Sequence, residues 1–392
     1  MAWVWHDLAM PLHFSTDEMA GRRERAGAAI GAARLDALLL FKQESMYWLT
    51  GYDTFGFAAF QCMVVRPDAN VVLLTRAPDR WTAAYTSNID DVRIWTDVEG
   101  MNPASDLRAL LADLGLANRH LGIELDSYGL RASNWRAVED QLREFATWED
   151  QSGLVEGLRR TKSPQEIVYH RRAAELADDG WDAAMAGTRG GSFEGDILAD
   201  MQGAVFRGGG DYAGNEFIIG SGPGALMVRY TSGRRSLDSD DQLTLEWCGV
   251  EKRYHAAMMR TILVGDAPPE QVAMHAACRD ALIACEDAMR PGATMGTVFD
   301  AHAEVLDAAG YADHRLNACG YGMGAVYAPI WVDWPMLYHG NPLVFEANQV
   351  YFLHMILLNL STHQAMTLGH SVLVTDTGVE RLSRSSLDLV VN

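Results

Sequence analysis

Three ionisable side chains lie within apolar, strand-like stretches of this sequence. Glu246 lies in LTLEWCGV, His354 ends NQVYFLH, and His370 opens HSVLVT. An ionisable group inside a sheet costs free energy unless it is paired, so its presence there favours a functional role. A carboxylate can act as a nucleophile or base, and imidazole can transfer protons near neutral pH. The sequence therefore predicts acid–base chemistry at these three positions.

The first of these groups belongs to a stretch, Leu243 to Thr261, that predicts a strand, a turn and a second strand. This stretch resembles the metal-site hairpin of the pita-bread family, which includes methionine aminopeptidase, prolidase, aminopeptidase P and creatinase. In the metal-dependent members an Asp opens the hairpin, and a Tyr, a second Asp and an Arg follow it. Those positions hold Glu246, Tyr254, Ala257 and Arg260 here. One carboxylate is therefore kept as Glu, and the other is replaced by alanine.

The family's remaining ligand positions are also altered. The segment Gly320–Gly324 resembles the GHGIG loop, with Tyr321 in place of its metal-binding His. His354 and His370 lie where the family has ligand Glu residues, and Arg229 replaces a His at the pocket rim. The resemblance implies that these side chains share one pocket with the hairpin carboxylate.

These substitutions bear directly on metal binding. A dinuclear site needs carboxylates that bridge its two cations, and Ala257 offers no lone pair. The phenol of Tyr321 is a poor ligand while it is protonated. We therefore expect no metal and no cofactor, and a pocket reused for catalysis by Glu246, His354, His370 and Tyr321. One alternative stays open, in which Glu246 and the two histidines bind a single transition metal.

The pita-bread family contains metal-free members, of which creatinase is the precedent. The segments Trp331–Pro335 and Tyr338–Asn341, together with the chain length and the full set of substitutions, look most like the branch that hydrolyses ectoine. The resemblance implies that the cyclic amidine of ectoine, and also of 5-hydroxyectoine, is opened to an N-acetyl-2,4-diaminobutyrate. The alternatives are a creatinase-like amidinohydrolase, a metal-dependent prolidase-type or lyase-type relative, and a non-catalytic pita-bread binding protein.

A small zwitterion with an amidinium and a carboxylate sets definite requirements for the pocket. Glu246 is expected to lie beside the amidinium and to attack its ring carbon directly or through water. Arg229 is expected to bind the substrate carboxylate, and His354 or His370 to carry protons. The cation is expected to be enclosed by aromatic side chains, namely Trp331, Trp334 and Tyr254. Structural roles in the core are the alternative for these three residues.

The rest of the chain predicts two domains that support this pocket. In residues 1–156 strands alternate with helical stretches, and YWLTGY at 47–52 resembles a turn of the creatinase N-terminal domain, so we expect an α/β domain. Near the start of residues 157–392, Ser163 and Glu166 have the spacing of a capping box. We expect this second part to be an α+β pita-bread catalytic domain of the creatinase/aminopeptidase type.

The aromatic and glycine-rich stretch from Tyr47 to Phe60 carries no catalytic motif of its own. In the creatinases and prolidases that it resembles, this domain packs across the subunit interface. The resemblance therefore implies a homodimer in which the N-terminal domain of one subunit closes the pocket of its partner. Tyr52 and Phe55 are the candidates for this lid, and a structural role in the turn is the alternative.

Composition limits the partners and the compartment. The chain has 392 residues, of which 48% are apolar and 21% charged, as in an ordinary globular protein. Its formal net charge of −20 argues against nucleic acid and anionic membranes as partners. No apolar run is long enough for a transmembrane helix, and residues 1–14 lack the features of a signal peptide. Because the five cysteines include no CxxC pair, we expect reduced thiols in a cytoplasmic protein.

Overall fold

The structure is a computed structural model, which describes residues 12–231 and 233–392. Backbone contacts divide the chain into two units that meet in sequence between Arg159 and Arg160. The predicted boundary after residue 156 falls within the last helix of the first unit. The prediction about a signal peptide rests largely on residues 1–11, which lie outside the described residues. None of the described helices combines the length and the apolar composition that a membrane crossing needs.

The first unit is built on one mixed sheet flanked by helices. Its elements in chain order are α1 Thr16–Ala32, β1 Ala37–Leu40, α2 Gln43–Thr50, β2 Cys62–Val65, β3 Val71–Arg76, α3 Asp79–Thr86, β4 Asp91–Trp95, α4 Pro103–Asp113, β5 His120–Ile123, α5 Ala132–Leu142, β6 Thr147–Asp150 and α6 Gly153–Arg159. The strand order is β4-β3-β2-β1-β5-β6. Strands β1 and β2 are buried on both faces, as their uninterrupted apolar runs predict. The predicted α/β class is confirmed.

The stretch that resembles a turn, residues 47–52, is mostly helical. Helix α2 ends at Thr50, and the chain turns only at Gly51, where φ is 80°. A side chain at this position would be strained by that left-handed conformation, and its Cβ would lie 2.9 Å from the Thr86 carbonyl oxygen. The glycine thus marks the end of a helix, a common place for a left-handed residue.

The second unit is an α+β domain built on a larger sheet. Its elements in chain order are α7 Pro164–Gly187, α8 Glu194–Arg207, β7 Ile218–Ser221, β8 Asp241–Glu251, β9 Tyr254–Val264, α9 Pro269–Ala288, α10 Met295–Ala308, β10 Gly320–Gly322, β11 Asp333–Leu337, β12 Val350–Asn359, β13 Gln364–Val374, β14 Val379–Arg381 and β15 Val390–Val391. The main path of the sheet runs β11-β10-β12-β13-β9-β8-β7, and β14 and β15 pair with β13 and β9. The predicted α+β class is confirmed. All five cysteines of the chain are buried free thiols.

The predicted hairpin is confirmed as β8 and β9, which lie between β13 and the edge strand β7 of this sheet. Every residue of β9 is buried, so both faces of the hairpin are covered. On one face the hairpin packs against helix α7. There Trp247 donates its indole N–H to the Ala177 carbonyl oxygen at 2.8 Å, and its ring stacks on Trp181. The other face of the sheet is left for the candidate site.

The helix that supports the hairpin begins at the predicted capping box. Ser163 Oγ accepts a hydrogen bond from the Glu166 backbone N–H at 3.2 Å, and Glu166 Oε2 accepts one from the Ser163 backbone N–H at 2.8 Å. These bonds satisfy two N–H groups that helix geometry would otherwise leave without an acceptor. The capping box is therefore confirmed as the start of α7.

Replacing Ser163 by Ala should lower the free energy of unfolding by about 1 kcal/mol, because a helix N-cap loses its acceptor. Urea unfolding followed by circular dichroism measures the change. Ser163→Thr is the matched control, since it keeps a hydroxyl at the cap and should lose clearly less stability. Equal losses in the two variants would show that the hydroxyl is not the stabilising group.

Candidate active site

The register of the hairpin decides which side chains can meet. In the pairing of β8 with β9, Glu246 lies opposite Met259 and Cys248 lies opposite Ala257. Side chains of directly paired residues point to the same face of an antiparallel sheet, and every second residue along a strand shares that face. Glu246 and Ala257 therefore lie on one face, and Tyr254 lies on the other.

Strands β10 and β12 bring two more of the predicted residues to the face of Glu246. Tyr321 is paired with Phe352, and His354 lies two residues further along the same strand. The ring centroids of Tyr321 and His354 are 5.7 Å apart. The Tyr321 hydroxyl donates a hydrogen bond to Glu246 Oε1 at 3.3 Å, and it accepts one from the Trp331 indole N–H at 2.8 Å.

These side chains line one cavity of about 530 Å³. Glu246, Tyr321, Trp331, His354 and Arg229 all contribute to its wall. The remaining wall is largely apolar and includes Ile218, Val228, Leu316, Ile330, Val332 and Ile356. The guanidinium of Arg229 is exposed to solvent, and within the described part of the chain no hydrogen bond or ion pair occupies it. The cavity thus presents a carboxyl group and a guanidinium between apolar surfaces.

The environment of Glu246 shifts the titration of its carboxyl towards neutral pH. Enclosure by protein raises the pKa of its carboxyl to about 7, although the hydrogen bond from Tyr321 and the charge of Arg229 both act to lower it. At neutral pH the carboxyl is therefore present in both protonation states. This is the condition under which a single group can both take up and return a proton.

The environment of His354 has the opposite effect. Burial lowers the pKa of its imidazole to about 3, so the ring is neutral at pH 7. Its Nδ1 is buried and has no hydrogen-bond partner among the described residues. The sequence predicts an imidazole that titrates near neutrality. The structure corrects this for His354, because burial penalises the charged form of the ring.

His370 does not lie in the cavity, which corrects its predicted role. It is paired with Leu353, so it points to the face opposite His354. Its Nε2 is 2.6 Å from Glu286 Oε1, and Arg381 also binds that carboxylate. Although burial opposes ionisation, the hydrogen bonds from His370 and Arg381 lower the pKa of Glu286. The three side chains join α9 to β13 and β14, and this position is structural.

Two of the three aromatic residues predicted to enclose a cation lie outside the cavity. The hydroxyl of Tyr254 donates to Glu166 Oε1 at 2.7 Å on the helix face, so its prediction as a substrate contact is wrong. Trp334 is 40% exposed and does not line the cavity, and its ring lies 5.9 Å from the guanidinium of Arg160. Trp331 lines the cavity and is only 2% exposed, so it alone keeps its predicted place.

The two lid candidates differ sharply in exposure. Tyr52 is fully buried in the N-terminal unit, where its hydroxyl donates to Gln61 at 3.3 Å. A residue in this position cannot reach a second subunit, so the prediction of Tyr52 as a lid residue is wrong and its alternative, a structural role, is right. Phe55 is 83% exposed. Of the two lid candidates, only Phe55 is exposed enough to contact another subunit.

Asn215 and Met336 are among the cavity residues that the sequence does not identify. Asn215 lines the cavity and accepts a hydrogen bond from the Trp331 backbone N–H at 3.1 Å. Met336 lines it from β11, where its partner across the strands is Tyr321. Neither residue belongs to a motif with recognisable spacing. Only the pairing of β10 with β11 and the path of the loop before β7 bring them to the site.

The side chains at the family's ligand positions do not fit a metal pair. Ala257 has no donor atom, and His370 points away from Glu246. Burial raises the pKa of Tyr321 far above its usual value, so its phenol stays protonated. Among the described residues no group of three or more His, Cys, Asp or Glu side chains is arranged to hold a metal ion. The alternative of one metal bound by Glu246, His354 and His370 fails for the same geometric reason.

Comparison with known proteins gives the class of the chain. Residues 169–376 match the model of metallopeptidase family M24, and residues 22–161 match the model of the creatinase/prolidase N-terminal domain. The first match covers more than half of the chain, so this protein belongs to metallopeptidase family M24 and has the pita-bread fold. Family membership places it among hydrolases that act on C–N bonds.

Individual relatives span nearly the whole chain. An uncharacterised hydrolase/peptidase of Sinorhizobium fredii is 27% identical over 97% of this chain and 99% of its own. The ectoine hydrolase of Halomonas elongata is 26% identical over 96% of this chain and 98% of its own. A crystal structure of a dipeptidase from Pyrococcus horikoshii superimposes with a TM-score of 0.83, at 20% identity over 95% of this chain and 100% of that one. That structure supports the fold.

Replacing Glu246 by Gln should stabilise the protein at pH 8. The folded-state pKa of about 7 lies above the ordinary value of 4.5, so the wild type loses stability as the pH rises between these two values. A neutral amide avoids this loss, and we expect a gain of about 1–3 kcal/mol at pH 8 and little gain at pH 5. Denaturant unfolding at both pH values measures it.

The matched control for this experiment is Glu286→Gln on the opposite face. Glu286 is paired with His370 and Arg381 and its pKa is lowered, so its removal should destabilise the protein at pH 8. A Glu246→Gln variant that is less stable than the wild type at pH 8 would contradict the raised pKa.

Proposed function

We propose that this protein is an ectoine hydrolase, which opens the cyclic amidine ring without a metal. The proposal depends on the charges around the cavity. Among the described residues that line the cavity, Glu246 is the only acid and Arg229 the only Lys or Arg. An amidinium beside the first and a carboxylate beside the second would make a small zwitterion the complementary ligand.

The similarity to the ectoine hydrolase of Halomonas elongata supports this choice of substrate, because it extends over nearly all of both chains. Creatine presents the same two charged groups and is the second candidate. The carboxyl group of Glu246 favours turnover over binding alone, since strongly shifted pKa values are concentrated at catalytic sites.

In the proposed reaction Glu246 acts on the ring carbon of the amidinium. Its ionised form attacks that carbon directly or removes a proton from an attacking water. A ring C–N bond then breaks, and the departing nitrogen takes a proton. The overall addition of one water gives an N-acetyl-2,4-diaminobutyrate. The neutral imidazole of His354 is a further hydrogen-bonding group in the cavity, and the indole of Trp331 forms a wall against the cation.

Metal independence is part of the proposal. It is supported by the donor set, in which Ala257 and Tyr321 replace two side chains that a metal pair would need. In the proposed reaction, attack on the amidinium carbon neutralises its positive charge, so no metal ion is required to stabilise a developing negative charge.

The purified protein should hydrolyse ectoine after exhaustive chelation, and NMR of the reaction mixture should identify the ring-opened product. 5-Hydroxyectoine, creatine and a proline dipeptide are the comparison substrates. Glu246→Gln should lower kcat by at least about 10²-fold, since acid–base help alone contributes that much. Hydrolysis of creatine but not ectoine would favour the second candidate. Activity that disappears with chelator and returns with zinc, iron or manganese would refute metal independence.

The proposed active unit is a homodimer in which the N-terminal domain of one subunit closes the pocket of its partner. Two features support it. Phe55 is a large apolar side chain in solvent. The edge strand β11 and the residue after it expose Trp334, Met336 and Tyr338, and Met336 also lines the cavity. Contiguous exposed apolar surface of this kind marks interaction sites.

Mixing two variants, Glu246→Gln and Phe55→Ala, tests this arrangement. If Phe55 closes the partner's pocket, Phe55→Ala alone should have low activity, and each mixed dimer should regain one complete pocket. Random exchange would then restore about a quarter of wild-type activity. Tyr128→Ala, which removes another exposed aromatic residue of the same domain, should leave activity unchanged. Absence of recovery despite proven subunit exchange would place Phe55 elsewhere.

A further inference from the structure

The hydrogen bonds between Trp331, Tyr321 and Glu246 have a fixed direction. An indole N–H can only donate, so at 2.8 Å the Tyr321 oxygen must be the acceptor. An ionised carboxylate can only accept, so at 3.3 Å the Tyr321 hydroxyl must be the donor to Glu246. The single proton of the phenol therefore points at the carboxylate, and the indole occupies one of the lone pairs of its oxygen.

The position of Trp331 is itself determined by the loop before β7. Asn215 Oδ1 accepts from the Trp331 backbone N–H at 3.1 Å. The neighbouring Gly214 lies so close to the chain there that a Cβ would be 2.8 Å from the Ile330 carbonyl oxygen and 3.0 Å from the Trp331 Cα. Only glycine permits this approach, so the loop fits closely against the residue that carries the indole.

This loop is in turn attached to the β8–β9 hairpin by His255. Its Nδ1 lies 2.8 Å from the Arg253 carbonyl oxygen and must donate to it. Its Nε2 is then unprotonated and accepts from the Gly214 backbone N–H at 2.9 Å. Burial lowers the pKa of His255 to about 4, so this neutral tautomer persists over the ordinary pH range. The support of the indole therefore starts on β9, beside the strand that carries Glu246.

We infer that Trp331 is a positioning residue, whose indole N–H orients the Tyr321 hydroxyl so that its proton is directed at the carboxylate of Glu246. This inference rests on the proposed function only in taking Glu246 as the reacting group. A hydroxyl that accepts one hydrogen bond is a stronger donor in the next, because bonds in a chain polarise one another. Trp331 thereby favours the ionised form of Glu246, which is the form that attacks.

Loss of the indole N–H should raise the pKa of Glu246. Trp331→Phe keeps an aromatic wall but removes the donor, so the phenol is less polarised and its hydroxyl is free to rotate. A neutral hydrogen bond of ordinary strength corresponds to a shift of about 0.5–1 pH unit. Incorporation of 3-benzothienylalanine at position 331, which replaces the N–H by sulfur in a ring of the same shape, should give the same shift without loss of packing.

The titration of Glu246 can be followed in the substrate-free protein by infrared difference spectroscopy, with the carboxyl band assigned by its absence in Glu246→Gln. We expect an upward shift in both Trp331 variants and a shift at least as large in Tyr321→Phe. The decisive measurement is Trp331→Phe in a Tyr321→Phe background, which should cause no further shift if Trp331 acts through Tyr321. Trp181→Phe, a buried indole on the helix face, is the control and should leave the band unchanged.

Two results would overturn the inference. In one, the Trp331 variants titrate like the wild type. In the other, Trp331→Phe shifts the band equally with and without the Tyr321 hydroxyl. Because no substrate is present, neither result depends on whether ectoine is hydrolysed. If it is hydrolysed, the acidic limb of the kcat/KM profile should move by the same amount as the band.

Discussion

The carboxyl group of Glu246 faces a cavity whose walls are mainly apolar, and the free energy of ionising it there sets the chemistry of the cavity. One hydroxyl donor and one exposed guanidinium offset the penalty only in part, so the pKa settles near 7. A second nearby carboxylate would have required a cation to compensate it. Ala257, on the same face as Glu246, removes that requirement. The single acid, its hydrogen-bond donor and the apolar walls therefore act together to set the pKa of Glu246.

Acidic side chains have different numbers of partners on the two faces of the sheet. On the helix face Glu286 is bound by both His370 and Arg381, and Glu166 is bound by Tyr254 and by the helix cap. Each of these acids has at least two partners and joins secondary-structure elements. On the cavity face Glu246 has few partners, and this leaves lone pairs for a substrate. The number of partners, more than the residue type, separates a structural acid from a candidate catalytic one.

Much of the architecture follows from local sequence patterns. The hairpin, the apolar strands of both sheets and the capping box of α7 depend on residues close in sequence, and these were predictable. The face of a strand residue depends on register, and one position changes it. His354 and His370 look equivalent in sequence, yet their pairing partners place them on opposite faces. Long-range packing likewise decides that Tyr52 is buried, that Tyr254 donates a hydrogen bond to Glu166 and that Asn215 lines the cavity.

The buried cysteines have a practical consequence. Burial raises the pKa of the Cys62, Cys248, Cys278 and Cys285 thiols, which keeps them in the unreactive protonated form. Cys319 is buried as well. A maleimide label should therefore react preferentially with a cysteine newly placed on the surface, without prior removal of the native ones. Pairs of such labels, one on each unit, would give distances between the two domains in solution while every native thiol stays in place.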